Sequence, residues 1–105
     1  MGDQPLEDYD LGVVTETERE VKLPPMFRVL LHNDDYTTME FVVLVLQNVF
    51  HKSPTDATQI MLHIHRNGLG VAGVYSREVA ETKVAVVETM ARQHEFPLKC
   101  TMEEA

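Results

Sequence analysis

The sequence predicts an α+β domain: a three-stranded antiparallel sheet packed against three helices, in the order strand-helix-helix-strand-helix-strand, with a disordered N-terminal tail. Three observations carry that expectation. Segments 26–32, 69–75 and 98–102 are short and bounded by turn residues, as strands are. Between them lie stretches with helical periodicity and capping residues at their entries. Ahead of them, residues 1–22 hold seven acids (Asp3, Glu7, Asp8, Asp10, Glu16, Glu18, Glu20) against Arg19 and Lys22, and show no sustained apolar period.

Taken in order, Met26–His32 alternates weakly between Pro24-Pro25 and Asn33-Asp34-Asp35, which suits a first strand. The valines of the next segment favour strands, but its entry signals favour a helix over roughly 38–51. Thr37 with Glu40 reads as a capping box, and Tyr36 facing Phe41 as a hydrophobic staple. Ser53 is the expected N-cap of a second helix with Pro54 at its first position. Ala57, Ile60, Met61 and Ile64 then follow the i, i+3, i+4, i+7 pattern up to an Asn67-Gly68 stop. Leu69–Tyr75 reads as a strand, with Gly70 and Gly73 marking close approach or a bulge. Ser76 caps a third helix whose expected apolar positions are Val79, Ala80, Val84, Val87, Met90 and Ala91, together with Lys83. Leu98, Cys100 and Met102 alternate with Lys99 and Thr101 as the last strand. Three strands backed by helices on one face make a two-layer sandwich.

A chain of 105 residues supports one such domain. Its net charge of −8, of which residues 1–22 hold −5, disfavours nucleic acid and anionic membranes, which require clustered Lys and Arg. A lone cysteine, Cys100, allows no internal disulfide, and neither a signal peptide nor a membrane-spanning run is visible. The cytoplasm is therefore the expected compartment. The division expected is a flexible acidic tail over 1–24 and a folded domain over 25–105.

The chemistry concentrates in the loop His32-Asn33-Asp34-Asp35-Tyr36-Thr37, where several oxygen acceptors lie close together. Asp34 and Asp35 could serve acid–base chemistry or a cation, but a calcium loop spreads its acids over about a dozen residues. Asn and Asp also simply make turns. His63 and His65, two apart on a helix, face nearly opposite ways and make a poor metal pair, whereas His65 shares a face with Met61. Met39 and Met61 suit either a core or a pocket wall. There is no nucleophile with a base and no phosphate-binding glycine loop. A hydrolase built on Asp34, Asp35 and His65 lacks a second catalytic group. No cofactor or metal is expected.

Asn33-Asp34-Asp35-Tyr36-Thr37 followed by Met39-Glu40-Phe41-Val42 resembles the ClpS adaptor family. The similarity continues through Ala57-Thr58, Met61-Leu62, His65, Glu78–Ala85 and Pro97-Leu98, and covers nearly all of 25–105. One departure is Thr38, where the family usually carries proline. The resemblance implies an adaptor rather than an enzyme. It would bind destabilising N-terminal residues (Leu, Phe, Tyr, Trp) and deliver their owners to the N-terminal domain of a ClpA-type AAA+ unfoldase for degradation by ClpP. By position it assigns Asn33, Asp34 and His65 to the α-amino group. It assigns Leu31, Asp35, Thr37, Met39, Met61, Ile64 and Leu98 to a hydrophobic pocket, and Glu78 and Lys83 to the unfoldase contact. A monomer binding with roughly micromolar affinity, near −8 kcal/mol, is the expectation. The same element order also resembles the C-terminal domain of ribosomal L7/L12, a docking module that reads no N-termini, so fold alone does not decide.

Overall fold

A computed structural model describes residues 23–105, and the acidic tail expected over 1–22 lies outside them. The elements are β1 (Met26–His32), α1 (Met39–Asn48), α2 (Pro54–Asn67), β2 (Leu69–Ser76), α3 (Arg77–Gln93) and β3 (Lys99–Glu104). The sheet order is β2-β1-β3 and both pairings are antiparallel. The expected class and element order are thus the observed ones.

Alternation along β1 sends Val29 and Leu31 into the core, where both are fully buried, while Arg28 pairs with Glu103 at 3.0 Å on the outside. Ala72 of β2 and Cys100 of β3 join them in a cluster with Val45 and Leu46 of α1, Ala57 and Ile64 of α2, and Ala80 and Val87 of α3. Fully burying an aliphatic side chain of this size contributes about 1.5–3 kcal/mol, so this layer is the main source of stability. Helix α3 lies against all three strands, and α2 bridges β2 and α1.

The glycines of β2 act as expected. A Cβ at Gly70 would fall 2.8 Å from Ile64 Cγ1 and 3.1 Å from His63 Cδ2, so only glycine lets β2 run this close to α2. The bulge also forms: Val29 opposes Gly73 and Leu30 opposes Val71, which leaves Ala72 as the extra residue. Ser53 and Ser76 cap α2 and α3 through their hydroxyls. Gly68 ends α2 at φ 92°, in the left-handed region, with its N–H donated to the Ile64 carbonyl.

Helix α1 departs from the expectation at both ends. Its N-cap is Thr38, not Thr37, and the Thr38 hydroxyl accepts the Phe41 N–H at 3.1 Å. Glu40 then stands one position short of a capping box, because Thr37 is already held by Asp34. Nor does the staple form. Tyr36 is 77% exposed, and Phe41 packs instead on His94 and Phe96 at ring distances of 4.9 and 5.0 Å. The helix ends at Asn48 rather than near 51, with Val49 as C-cap and His51 at φ 57°. Thr38 has φ −73°, which a proline would also accept, but its hydroxyl supplies a cap that proline lacks.

On α3, Ala80, Val87 and Ala91 face the core as expected, but Val79 is turned out at 44% exposure. Lys83 is half-buried. Its ammonium donates to the Val49 carbonyl at 2.6 Å and lies 5.5 Å from the Tyr75 ring centroid and 6.0 Å from that of Phe50. It therefore satisfies a carbonyl at the end of α1 and pins that end to α3. Lys83→Met, which keeps the stem and removes the ammonium, should cost about 1–3 kcal/mol, measured by urea denaturation. An unchanged midpoint would show the bond to carry no stability.

Candidate functional site

The loop between β1 and α1 is built around Asp34. Its Oδ1 accepts the Tyr36 N–H at 2.8 Å and the Thr37 N–H at 2.7 Å, and its Oδ2 accepts the Thr37 hydroxyl at 2.8 Å. Partial burial alone would push the carboxyl up. The bonds from Thr37 and Tyr36 outweigh that and hold it below its ordinary value. A carboxylate offers about four lone-pair sites. Three are used within the loop, which leaves one on Oδ2 and the negative charge.

The backbone N–H of Asn33 donates to the Gly68 carbonyl at 2.8 Å, which ties the start of the loop to the end of α2. His65 stands in the last turn of that helix. This tie brings Asn33, Asp34 and His65 around one cavity of about 220 Å³. Among the described residues, neither the Asn33 carboxamide nor the His65 ring records a hydrogen-bond partner. Both have acceptor capacity to offer a ligand.

Of the seven residues assigned to the apolar pocket, Asp35, Thr37, Met39 and Met61 line this same cavity. Val42 lines it too, and sequence reasoning missed it. The available signal was its spacing, since Val42 lies three residues beyond Met39 on the same helix face. Leu31, Ile64 and Leu98 do not line the cavity. They are 0%, 2% and 5% exposed and lie in the core cluster to which Val42 and Met61 also belong. Met39 is the first residue of α1, half in the open at 44% exposure.

Glu78 and Lys83 lie elsewhere, on a groove of about 500 Å³ between the end of α1 and α3, with Val79, Val86 and Met90 along it. Its lysine is the one already committed to Val49. His63, unlike His65, does not line the cavity, and its ring is bonded by the Asn67 side chain at 3.0 Å. Cys100 is buried in β3. Burial first, and Glu88 second, push its thiol up to about 12, which makes it inert. Among the described residues no group of three or more His, Cys, Asp or Glu is placed to hold a metal. No described helix is long and apolar enough to cross a membrane.

An acceptor-rich loop lining one cavity together with Met39, Val42 and Met61, on a two-layer α+β domain, defines a small binding module. Comparison with known proteins says which one: residues 22–101 match the ClpS family model, described as the ATP-dependent Clp protease adaptor protein. The chain is 57% identical over 98 residues to the ATP-dependent Clp protease adapter protein of Myxococcus xanthus, covering 91% of this chain and 92% of the relative. It is 63% identical over 95 residues to the one from Desulfatibacillum aliphaticivorans, covering 90% and 91%. Among solved structures, Agrobacterium tumefaciens ClpS2 bound to L-phenylalaninamide is 38% identical with a TM-score of 0.76, covering 79% of this chain and 100% of that one. The chain belongs to the ClpS family. It is an adaptor of the Clp protease rather than an enzyme.

The Asp34 bonds generate a prediction. A carboxyl held below its ordinary value contributes stability that is present above its unfolded pKa and lost as pH falls through the folded one. Asp34→Ala should cost roughly 1–2 kcal/mol at neutral pH by analogy with a lost cap. The gap between the two proteins should close on acidification below the ordinary carboxylate range. Thermal melts of both at a series of pH values measure this, and a gap independent of pH would refute the charged-acceptor role.

Proposed function

We propose that the cavity holds the N-terminal residue of a protein marked for degradation. Its free ammonium would meet Asn33, Asp34 and His65, and its apolar side chain would enter among Met39, Val42 and Met61. The observation that carries this is one cavity combining unspent acceptors with apolar walls and neither Lys nor Arg in its lining. An N-terminal ammonium has a reference pKa near 8, so it is mostly charged at neutral pH and donates three bonds. The remaining lone pair of Asp34 Oδ2 takes one, with its charge adding to the attraction. Asn33 Oδ1 takes another, and His65 a third in whichever tautomer leaves a ring nitrogen unprotonated. L-Phenylalaninamide, the compound bound by the Agrobacterium ClpS2, has a free amine, an aromatic side chain and an amide in place of a peptide bond. It is the chemistry this cavity would take. Leu31, Ile64 and Leu98 back the pocket as its packed floor in this reading, and Asp35 and Thr37 form its rim.

Delivery uses the second face. The α1–α3 groove would dock on the N-terminal domain of a ClpA-type unfoldase, with exposed Glu78 as a charged contact and Lys83 holding the groove in shape. Residues 1–24 would serve as a tail separate from the docked domain over 25–105. The adaptor works as a monomer in the cytoplasm.

Peptides differing only at the first residue test the pocket. A Leu-starting peptide should lose essentially all affinity on N-acetylation, and Asn33→Ala should weaken binding by about 1–3 kcal/mol with the fold intact. Fluorescence anisotropy measures both, and undiminished binding of the acetylated peptide would sink the reading. Separately, Glu78→Lys should weaken binding to the unfoldase domain severalfold while peptide affinity stays constant. A pull-down paired with a peptide titration measures that, and equal retention of both proteins would clear Glu78 of the role.

A further inference from the structure

A second hollow, of about 350 Å³, adjoins the amine cavity. It lies between α1 and α2, and Met39 and Met61 line both hollows, so the partition between them is one layer of side chains. Along α1, Met39, Val43 and Gln47 stand at i, i+4 and i+8, with Glu40 and Leu44 in the next row. Leu44 is 38% exposed and Met39 44%, so apolar surface faces solvent beside the mouth of the site. Other surface hollows do not share this relation. That formed by Pro54, Thr55, Thr58 and Gln59 shares no wall with the amine cavity.

The geometry points to this hollow as a subsite for a downstream apolar side chain of the same cargo, and it rests on the amine-binding reading above. In an extended chain, successive side chains point to opposite faces, and residues i and i+2 lie about 6.5–7 Å apart on one face. With the first side chain in the amine cavity, the second points away. The third is the next to return to the same face, at a separation suited to crossing one methionine. The occupant is therefore an aliphatic or aromatic third residue. The walls of Met39, Val43, Leu44 and Met61 give it apolar contact, and Gln47 and Glu40 leave the rim polar. Two methionines as the shared partition let either hollow adjust to its occupant without backbone movement. The pair of hollows would rank cargo beyond its first residue.

Three peptides, identical except for the opening Leu-Ala-Ala, Leu-Ala-Leu and Leu-Leu-Ala, test this against the full chain and its Leu44→Ser variant. Leu-Ala-Leu should bind about five- to tenfold more tightly than Leu-Ala-Ala, as expected for partial burial of one aliphatic side chain. Leu44→Ser should reduce that gain to under about twofold and leave Leu-Ala-Ala unchanged, because Leu44 lies outside the amine cavity. Equal affinities for the three peptides, or equal weakening of all three by Leu44→Ser, would overturn the subsite. A gain confined to Leu-Leu-Ala would overturn its assignment to the third residue. If none of the free-amine peptides binds, the amine reading fails and takes this one with it. If Leu-Ala-Ala binds through its free amine without a third-residue gain, only the subsite fails.

Discussion

The site depends on the Asp34 carboxylate more than on any other group. By accepting two backbone N–H groups and the Thr37 hydroxyl, it folds the six residues between β1 and α1 into a fixed turn. That turn decides which threonine caps α1. Since Thr37 is spent on Asp34, Thr38 becomes the cap and Met39 the first helical residue, at the cavity edge. The same carboxylate keeps one lone pair and its charge unspent within the loop. A single residue thus shapes the loop and, in the proposed reading, would supply part of its chemistry.

The proportions of the cavity suit a carrier. At about 220 Å³ it is smaller than the 300–1,000 Å³ typical of drug-sized ligands, so it can enclose one side chain and little more. Burying such a side chain contributes roughly 1.5–3 kcal/mol. In the proposed reading, charged hydrogen bonds to an amine would add about 1.5–3 each before ordering costs are subtracted. Selectivity for a free amine follows because an acylated terminus would leave acceptors unpaired. Modest affinity with strict chemistry fits an adaptor, which has to release what it holds.

Lys83 illustrates how a charge read as a contact can be structural first. On a sequence it is a cation near an apolar helix face. In the fold its ammonium reaches across to the end of α1 and sits against two aromatic rings. It holds the groove between α1 and α3 in shape, whereas Glu78 on the same groove remains exposed. The cavity and the α1–α3 groove are then separate in space but share α1, whose N-terminus borders one and whose C-terminus borders the other.

The sequence by itself determined the element order, the three serine and glycine helix boundaries at Ser53, Gly68 and Ser76, the β2 glycines as sites of close approach or a bulge and the alternation of β1. These rest on local chemistry: a hydroxyl reaching three residues on, a left-handed φ, an alternation of period two. It also put Met61 and His65 on one face, because helical spacing alone requires that. The cap of α1 was misplaced by one residue, since two adjacent threonines offer the same hydroxyl and only the reach of Asp34 chooses between them. Phe41 could not be paired from sequence either, because its partners His94 and Phe96 arrive from the far end of α3. Tertiary structure alone kept Leu31, Ile64 and Leu98 off the cavity wall and let Met39 and Met61 divide two hollows. Walls and partitions are made between elements, and local periodicity cannot say how far apart two elements will pack.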